Sequence, residues 1–68
     1  MKVKILKLGQ SATEAEMQSG ATIEDACEKA GISHHGYSLT LNGLTASSET
    51  SVSEGDIVTL VPKVEGGR

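Results

Sequence analysis

The clearest potential for chemistry in this chain lies in two adjacent glycines, Gly66 and Gly67, which precede Arg68. Glycine has no side chain to pack and loses the most conformational freedom on ordering, so a glycine pair is a poor way to finish a domain for stability alone. Such a pair would instead form a thin segment that can enter the active site of another protein. The pattern therefore predicts a carrier or tag whose carboxyl end is modified by a partner.

The other reactive side chains do not form a recognisable site. His34 and His35 are adjacent, and neighbours in a loop usually diverge, so no metal site is predicted from them. Cys27 lies on an apolar stripe and is expected to be a small core residue, not a nucleophile. A chain of 68 residues with 37% hydrophobic residues can hold one small core but no internal substrate cavity. We therefore expect no enzymatic activity and no bound cofactor.

The charge balance and the lengths of the apolar runs limit which classes of partner we expect. Six Lys and Arg residues against nine Asp and Glu residues give a formal net charge of -3, which disfavours nucleic acid and favours basic protein surfaces. No apolar run is long enough to cross a bilayer and no signal-like segment follows Met1, so we expect a cytoplasmic protein without membrane association. The short chain is expected to be a monomer.

The hydrophobic pattern predicts an opening hairpin followed by a helix. Residues 2–8 alternate at first between polar and apolar, as in a strand with one face on a core, and residues 12–17 predict a second strand. Thr22 is a candidate helix cap, and Gly31 is a candidate stop. Between them, residues at helical spacing form one apolar stripe: Ile23, Ala26, Cys27 and Ala30.

The second half of the chain predicts three further strands. Residues 37–41 alternate again and lead into Asn42-Gly43, the strongest hairpin signal present, after which residues 44–45 begin a returning strand. Residues 46–53 are rich in Ser, Thr and Glu and are predicted to be a solvated loop. Residues 57–61 are the most apolar and β-prone, as in a central strand, and Pro62 is expected to end the pairing.

This order of elements is typical of an α+β protein with the β-grasp (ubiquitin-like) fold. We expect a mixed sheet of four to five strands with one helix packed on one face, the first and last strands lying parallel at its centre. The domain is predicted to cover residues 1–62, and residues 63–68 are predicted to be a flexible diglycine tail.

The carboxyl-terminal motif resembles that of a known family. The spacing Gly55-Asp56-x-Val58-x-x-x-Pro62-x-Val64-x-Gly66-Gly67 resembles the end of the molybdopterin synthase small subunit and its relatives, the ThiS/MoaD-like sulfur carriers of the ubiquitin-like superfamily. Residues 22–26 look like the start of their helix, and Asn42-Gly43 stands where such proteins often have a turn. The resemblance spans nearly the whole chain and supports the predicted fold.

The resemblance also implies a function. In that family a terminal glycine carboxylate is activated as an acyl adenylate by a ubiquitin-activating-like enzyme, which uses ATP. It is then converted to a thiocarboxylate that donates sulfur to a downstream acceptor or a large synthase subunit, or in some relatives is joined to a lysine amine. The pathway stays open among molybdopterin, thiamine, tRNA thiolation and protein conjugation.

Arg68 departs from that pattern because it covers the Gly67 carboxylate. A peptidase could remove it, it could have been added to the expressed protein, or the protein could have kept the fold and abandoned the acyl chemistry. The alternative function is therefore a non-covalent β-grasp interaction module that keeps Arg68. An RNA-associated domain is disfavoured by the acidic balance and the lack of stacking aromatics.

The alternation of side chains between the two faces of each strand predicts a docking surface. Val58 and Leu60 would face the helix, with Val3 and Ile5, and the opposite face would then carry surplus aliphatic residues. That surplus predicts a partner-binding surface made of Leu6, Ile57 and Val61, with Lys63 and Val64 at its rim. The competing interpretation is that β-branched residues favour strands and that scattered exposed aliphatics are ordinary.

Overall fold

The architecture is a five-stranded sheet with one helix, seen in a computed structural model that describes residues 1–10 and 12–63. Along the described chain the elements are β1 (Lys2–Lys7), β2 (Ala12–Glu16), α1 (Ile23–Ala30), β3 (Tyr37–Leu41), β4 (Leu44–Ala46) and β5 (Ile57–Pro62). The hairpin, helix and later strands thus appear in the predicted order. In the described part of the chain, no helix is long and apolar enough to span a membrane.

The sheet is mixed, with strand order β2-β1-β5-β3-β4. The central strands β1 and β5 pair in parallel, with Ile5 opposite Val58, and the other neighbours are antiparallel. Parallel neighbours need a long crossover connection, and α1 lies in the segment that provides it. This is the β-grasp arrangement expected from the sequence.

Helix α1 begins and ends at the residues that the sequence indicated. Thr22 forms a capping box, in which its side chain accepts from the Asp25 N–H at 3.3 Å and the Asp25 carboxylate accepts from the Thr22 N–H at 3.0 Å. Gly31 ends the helix in the left-handed region with φ 73°, a conformation that costs glycine little. The Ile32 N–H then donates to the Cys27 carbonyl at 2.9 Å, which closes the last turn.

The core is one aliphatic layer between α1 and the sheet. Ile5, Ile23, Val58 and Leu60 are fully buried at its centre. Among the described residues no polar or charged residue is buried, and no buried side-chain nitrogen or oxygen lacks a partner. Apolar burial therefore supplies most of the stabilisation, at roughly 25 cal/mol for each Å² removed from water.

The segment predicted as a solvated loop does more than connect strands, so that prediction was wrong in part. Ala46 ends β4, Val52 is buried in the core, and Ser51 bridges to Thr22. Carbonyls of this segment also accept from the first turn of α1, with Thr50 O 2.9 Å from the Ile23 nitrogen and Ser48 O 2.9 Å from the Glu24 nitrogen. These bonds satisfy amides that a helix start leaves without internal partners.

Three strand ends differ by one residue from the prediction. Strand β2 ends at Glu16, one residue before the predicted end at Met17. Strand β1 ends at Lys7, although the Leu8 N–H still donates to the Leu60 carbonyl at 3.2 Å. Strand β5 ends at Pro62, as expected, but Pro62 is itself the last paired residue of the strand and lies opposite Tyr37. Proline lacks an N–H, but the next residue restores the contact, because the Lys63 N–H donates to the Gly36 carbonyl at 3.3 Å.

The amino group of Met1 forms an ion pair with Glu16 of the edge strand β2. The Met1 amino group donates to Glu16 Oε2 at 2.8 Å and to the Met17 carbonyl at 2.8 Å. The hydrogen bond and the positive charge of that amino group lower the pKa of the Glu16 carboxyl below its ordinary value. The carboxylate form of Glu16 is therefore favoured in the folded state relative to the unfolded state.

We expect the Glu16→Gln substitution to lower the urea midpoint near neutral pH and to have a smaller effect in acid. A depressed carboxyl pKa contributes stability above the unfolded-state pKa, about 4.3 for glutamate, and that contribution disappears as pH falls through the folded-state value. Urea unfolding of both proteins across this acid range measures the difference. Glu14→Gln, on the same strand and face, is the control. An E16Q effect that stays constant with pH would contradict the assigned pairing.

Candidate functional site: the open sheet face and the carboxyl end

The two faces of β5 differ sharply in exposure. Val58 and Leu60 are 0% exposed on the helix side, where they pack with Val3 and Ile5, as strand parity predicted. The opposite face of the sheet, which we call the open face, includes Ile57, Thr59 and Val61. Ile57 is 38% exposed, and Val61 is half-buried. The partner role predicted for these exposed positions stays a prediction.

The strand register shows how the predicted docking residues are arranged. Leu6 lies opposite Thr59 on the parallel pair, and Thr59 lies between Ile57 and Val61 along β5. Ile57 and Val61 are therefore on one face but about 13 Å apart along the strand, at roughly 3.3 Å per residue. The three aliphatic residues form a row interrupted by threonine, and only Leu6 and Val61 lie toward the end where the chain leaves the sheet.

Leu8 is a surface residue that the sequence analysis missed. Its side chain is 51% exposed, and its backbone remains paired to β5 through the Leu60 carbonyl. Leu8 follows Lys7, the last residue of β1, and its bond to Leu60 continues the pairing with β5. Side-chain alternation therefore places Leu8 on the same face as Leu6, beside the carboxyl end of β5. Its position at the end of the run of residues 2–8, followed by Gly9, was the available signal for an exposed aliphatic residue.

Charged residues are confined to one side of the open face. Across β1 and β2, Lys2 lies opposite Glu16 and Lys4 lies opposite Glu14, so charges of opposite sign alternate there. Across β5, β3 and β4, the open face carries uncharged residues, with Thr40 opposite both Thr59 and Thr45. We call this second area, together with Leu6 and Leu8 at the carboxyl end of β1, the uncharged strip: Leu6, Leu8, Ser38, Thr40, Thr45, Ile57, Thr59 and Val61.

The described chain ends at the border of the uncharged strip. Lys63 is exposed, and its N–H bond to Gly36 holds the chain beside the start of β3. At the same end of the sheet, Lys7 Nζ lies 4.6 Å from the Tyr37 ring centroid and donates to the Ser33 carbonyl at 3.3 Å. The remaining predicted site residues lie outside the described residues: Val64, Gly66, Gly67 and Arg68.

Cys27 and the histidines lie near one another in a groove beside the end of α1, which is lined by Glu24, Cys27, Glu28, Ile32, Ser33, His34 and His35. Burial, with a smaller effect from the Glu24 carboxylate, raises the pKa of the Cys27 thiol. The thiol is therefore protonated near neutral pH and is a poor nucleophile. Within residues 1–10 and 12–63, no group of three or more His, Cys, Asp or Glu side chains could hold a metal ion.

Sequence comparison connects this fold and this carboxyl end to a family. Residues 4–67 match the sequence model of the ThiS family, a range that includes both glycines. The chain belongs to the ThiS family. This membership confirms the resemblance drawn from the carboxyl-terminal motif, and it makes the chain a small sulfur-carrier-like protein that is not itself an enzyme. No curated protein sequence matches this ThiS-family chain significantly.

Solved structures resemble the ThiS-family chain over nearly its whole length. SAMP1 from Haloferax volcanii is 17% identical, with a TM-score of 0.77 and coverage of 98% of this chain and 100% of that chain. A ubiquitin from Caldiarchaeum subterraneum is 26% identical, with a TM-score of 0.67 and coverage of 98% of each chain. These similarities confirm the ubiquitin-like β-grasp fold.

A third similar structure contains two different subunits. It is a protein-protein complex of subunits 1 and 2 of molybdopterin-converting factor from Helicobacter pylori. The matched chain is 21% identical, with a TM-score of 0.65 and coverage of 98% of the ThiS-family chain and 100% of the matched chain. At this identity the similarity establishes the shared fold.

Proposed function

We propose that this protein is an acyl carrier of the sulfur-carrier type, acting through the carboxylate of Gly67. The observation that supports this most is the ThiS-family match, which runs through residues 4–67 and so includes the glycine pair. A partner enzyme of the ubiquitin-activating type would bind ATP and adenylate the carboxylate. The carrier itself would supply a folded body and a carboxyl end without side chains on its last two residues.

The proposed chemistry has two activation steps followed by sulfur transfer, all carried out by partners. A carboxylate oxygen of Gly67 attacks the α-phosphorus of ATP, and pyrophosphate leaves. Hydrosulfide supplied by a partner then displaces AMP from the acyl adenylate and gives a thiocarboxylate. The thiocarboxylate sulfur attacks a downstream acceptor, and water cleaves the resulting acyl–sulfur bond, which leaves sulfur on the acceptor and restores the Gly67 carboxylate. A lysine amine in place of sulfur would give a protein conjugate instead. Glycine suits both activation steps because a Cβ would widen the segment and restrict its dihedral angles in the partner's pocket.

The carrier function requires that Gly67 end the active chain. When Arg68 is attached, the Gly67 carbonyl is part of a peptide bond and has no carboxylate to activate. A processing peptidase would therefore act before the adenylating enzyme. The second candidate function, a non-covalent interaction module, is favoured by the uncharged strip alone, because docking on that surface does not depend on the state of the carboxyl end.

We infer that the adenylating partner docks on the uncharged strip. The chain leaves the sheet at Lys63, at the border of this strip, so one partner could bind the body and reach the following glycines. The strip is uncharged and rich in β-branched side chains, which are stiff and therefore lose little entropy on binding. The complex of subunits 1 and 2 from Helicobacter pylori shows that a protein with this fold can be found bound to a protein partner.

Replacing Val61 by Asp is expected to weaken productive docking about tenfold, because it places a charge on a surface that a partner must desolvate. The measurement is carrier-dependent exchange of pyrophosphate into ATP by the adenylating enzyme of the native host, with all chains ending at Gly67. We expect the KM for the carrier to rise while kcat changes little. Ser19→Asp, at an exposed position between β2 and α1 and outside the uncharged strip, is the control and is expected to change KM much less. Equal effects of V61D and S19D would contradict docking on the strip.

A further inference from the structure

The turn between β3 and β4 contains a side chain that takes the place of backbone in the sheet. Asn42 has φ 52°, in the left-handed region, and Gly43 follows with φ 87°. The Asn42 N–H donates to the Ile57 carbonyl at 2.8 Å, and the Ile57 N–H donates back to Asn42 Oδ1 at 2.9 Å. In a regular antiparallel pair the Ile57 N–H would donate to the main-chain carbonyl of residue 42. Here the side-chain oxygen of Asn42 accepts that hydrogen bond instead.

The other end of the amide is held by a carboxylate. Asn42 Nδ2 donates to Asp56 Oδ1 at 3.0 Å, and Asp56 Oδ2 accepts from the Ser53 N–H at 2.7 Å. Both polar atoms of the Asn42 side chain are therefore bonded to the segment that leads into β5. We call these contacts of Asn42 with Asp56 and Ile57 the amide clamp.

An asparagine followed by glycine is chemically labile. The backbone nitrogen of the glycine can attack the side-chain amide carbon, because no Cβ on that glycine hinders the approach. A C–N bond then forms, the C–N bond to the side-chain nitrogen breaks, and ammonia leaves with a proton from the backbone nitrogen. Water opens the cyclic imide at one of its two carbonyls, giving aspartate or isoaspartate. No other co-reactant is needed.

We propose that Asn42 is a modification site at which water converts the amide to an acid, and that the amide clamp holds this reaction back in the folded protein. The reaction requires the side-chain carbon to turn toward the Gly43 nitrogen. While Oδ1 and Nδ2 are bonded to Ile57 and Asp56, the side chain points its polar atoms toward β5. The conversion therefore takes place in molecules in which the hydrogen bonds of the amide clamp have opened. Its rate is proportional to the population of that open state.

The product does not restore the clamp. An aspartate at position 42 has no Nδ2 donor and places a second carboxylate against Asp56 Oδ1, where like charges repel. An isoaspartate routes the main chain through the side-chain carbon and disrupts the two-residue turn. Each conversion therefore marks a chain irreversibly and weakens the connection of the β3–β4 turn to β5.

The sequence makes the reaction easy to follow. Asn42 is the one asparagine in the chain, so the gain in intact mass from amide to acid reports on this position, and the slower glutamines Gln10 and Gln18 are internal controls by peptide mapping. The full chain is incubated at mildly alkaline pH without denaturant and in urea that unfolds it. We expect conversion at least about tenfold slower in the folded protein, as local opening energies of ordered turns imply.

A variant separates the clamp from global folding. Asp56→Ala removes the Nδ2 acceptor and is expected to accelerate conversion several-fold in samples that circular dichroism shows to be folded. Asp56→Asn keeps an acceptor oxygen and is expected to restore a rate near that of the wild type; because it adds a second asparagine, conversion at Asn42 in this variant is followed by peptide mapping. If D56A does not fold, urea below the unfolding transition of the wild type replaces it, and conversion should rise before the global transition begins. Equal rates in folded and denatured wild type, or in folded wild type and folded D56A, would overturn the proposal.

Discussion

The Ile5→Ala substitution is expected to remove most of the stability of the fold and to leave a measurable fraction of the protein unfolded at 25 °C. Ile5 is 0% exposed in the middle of β1, opposite Thr13 of β2 and Val58 of β5. Truncating a buried Ile to Ala costs about 2–5 kcal/mol, because the transfer free energy of the lost groups and a residual cavity add together. A domain of this size rarely has more than about 3–5 kcal/mol of total stability. The loss therefore approaches the whole stability of the fold.

A matched substitution on the other face of the sheet controls for residue type. Ile57 begins the neighbouring strand β5, lies opposite Lys4 and is 38% exposed on the open face. Ile57→Ala is expected to cost about 1 kcal/mol or less, since little buried volume is lost. Urea unfolding followed by far-UV circular dichroism measures both variants. Comparable destabilisation by I5A and I57A would show that the burial assigned to the two faces is wrong.

Activation of the carboxyl end is expected to depend entirely on Gly67 being terminal. A chain ending at Gly67 should support carrier-dependent pyrophosphate exchange by the adenylating enzyme, and the chain ending at Arg68 should give only background exchange. Gly67→Ala at the terminal position should reduce kcat about 100-fold, because a small displacement of the reacting carboxylate can cost that much. Intact mass measured after the assay must show that Arg68 was not removed during incubation.

A truncated chain distinguishes the carrier from the non-covalent module. Deleting residues 66–68 removes the acceptor of the adenylyl group and leaves β1 to β5 unchanged. The truncated chain should not support exchange but should compete with the active carrier, since its uncharged strip is intact. Full exchange activity of the chain that retains Arg68 would contradict the carrier function and support the module.

Much of the fold could be predicted because its signals are local. The cap at Thr22, the left-handed stop at Gly31 and the alternation in β5 each depend on residues close together in sequence. The role of the segment between β4 and β5 could not be predicted in the same way. Its carbonyls satisfy amides of a helix more than twenty residues earlier, and such backbone contacts leave no pattern of side-chain types.

The sequence predicted which face of the sheet carries the candidate docking residues, but not how those residues are spaced on it. Alternation placed Leu6, Ile57 and Val61 on one side of the sheet, but only the register of β1 against β5 shows that Thr59 separates two of them. Leu8 was missed because its place on this surface depends on a backbone bond to Leu60, which lies on another strand. The function of the glycine pair is inferred from residue type and family membership, since both residues lie outside the described part of the chain.

Intact mass of the protein isolated from its native host tests the carrier function most directly. A carrier predicts a chain that ends at Gly67, with a fraction of molecules carrying the mass shift of one oxygen replaced by sulfur or the mass of a conjugate. Arg68 present in every molecule, with no fraction modified at the carboxyl end, would contradict it.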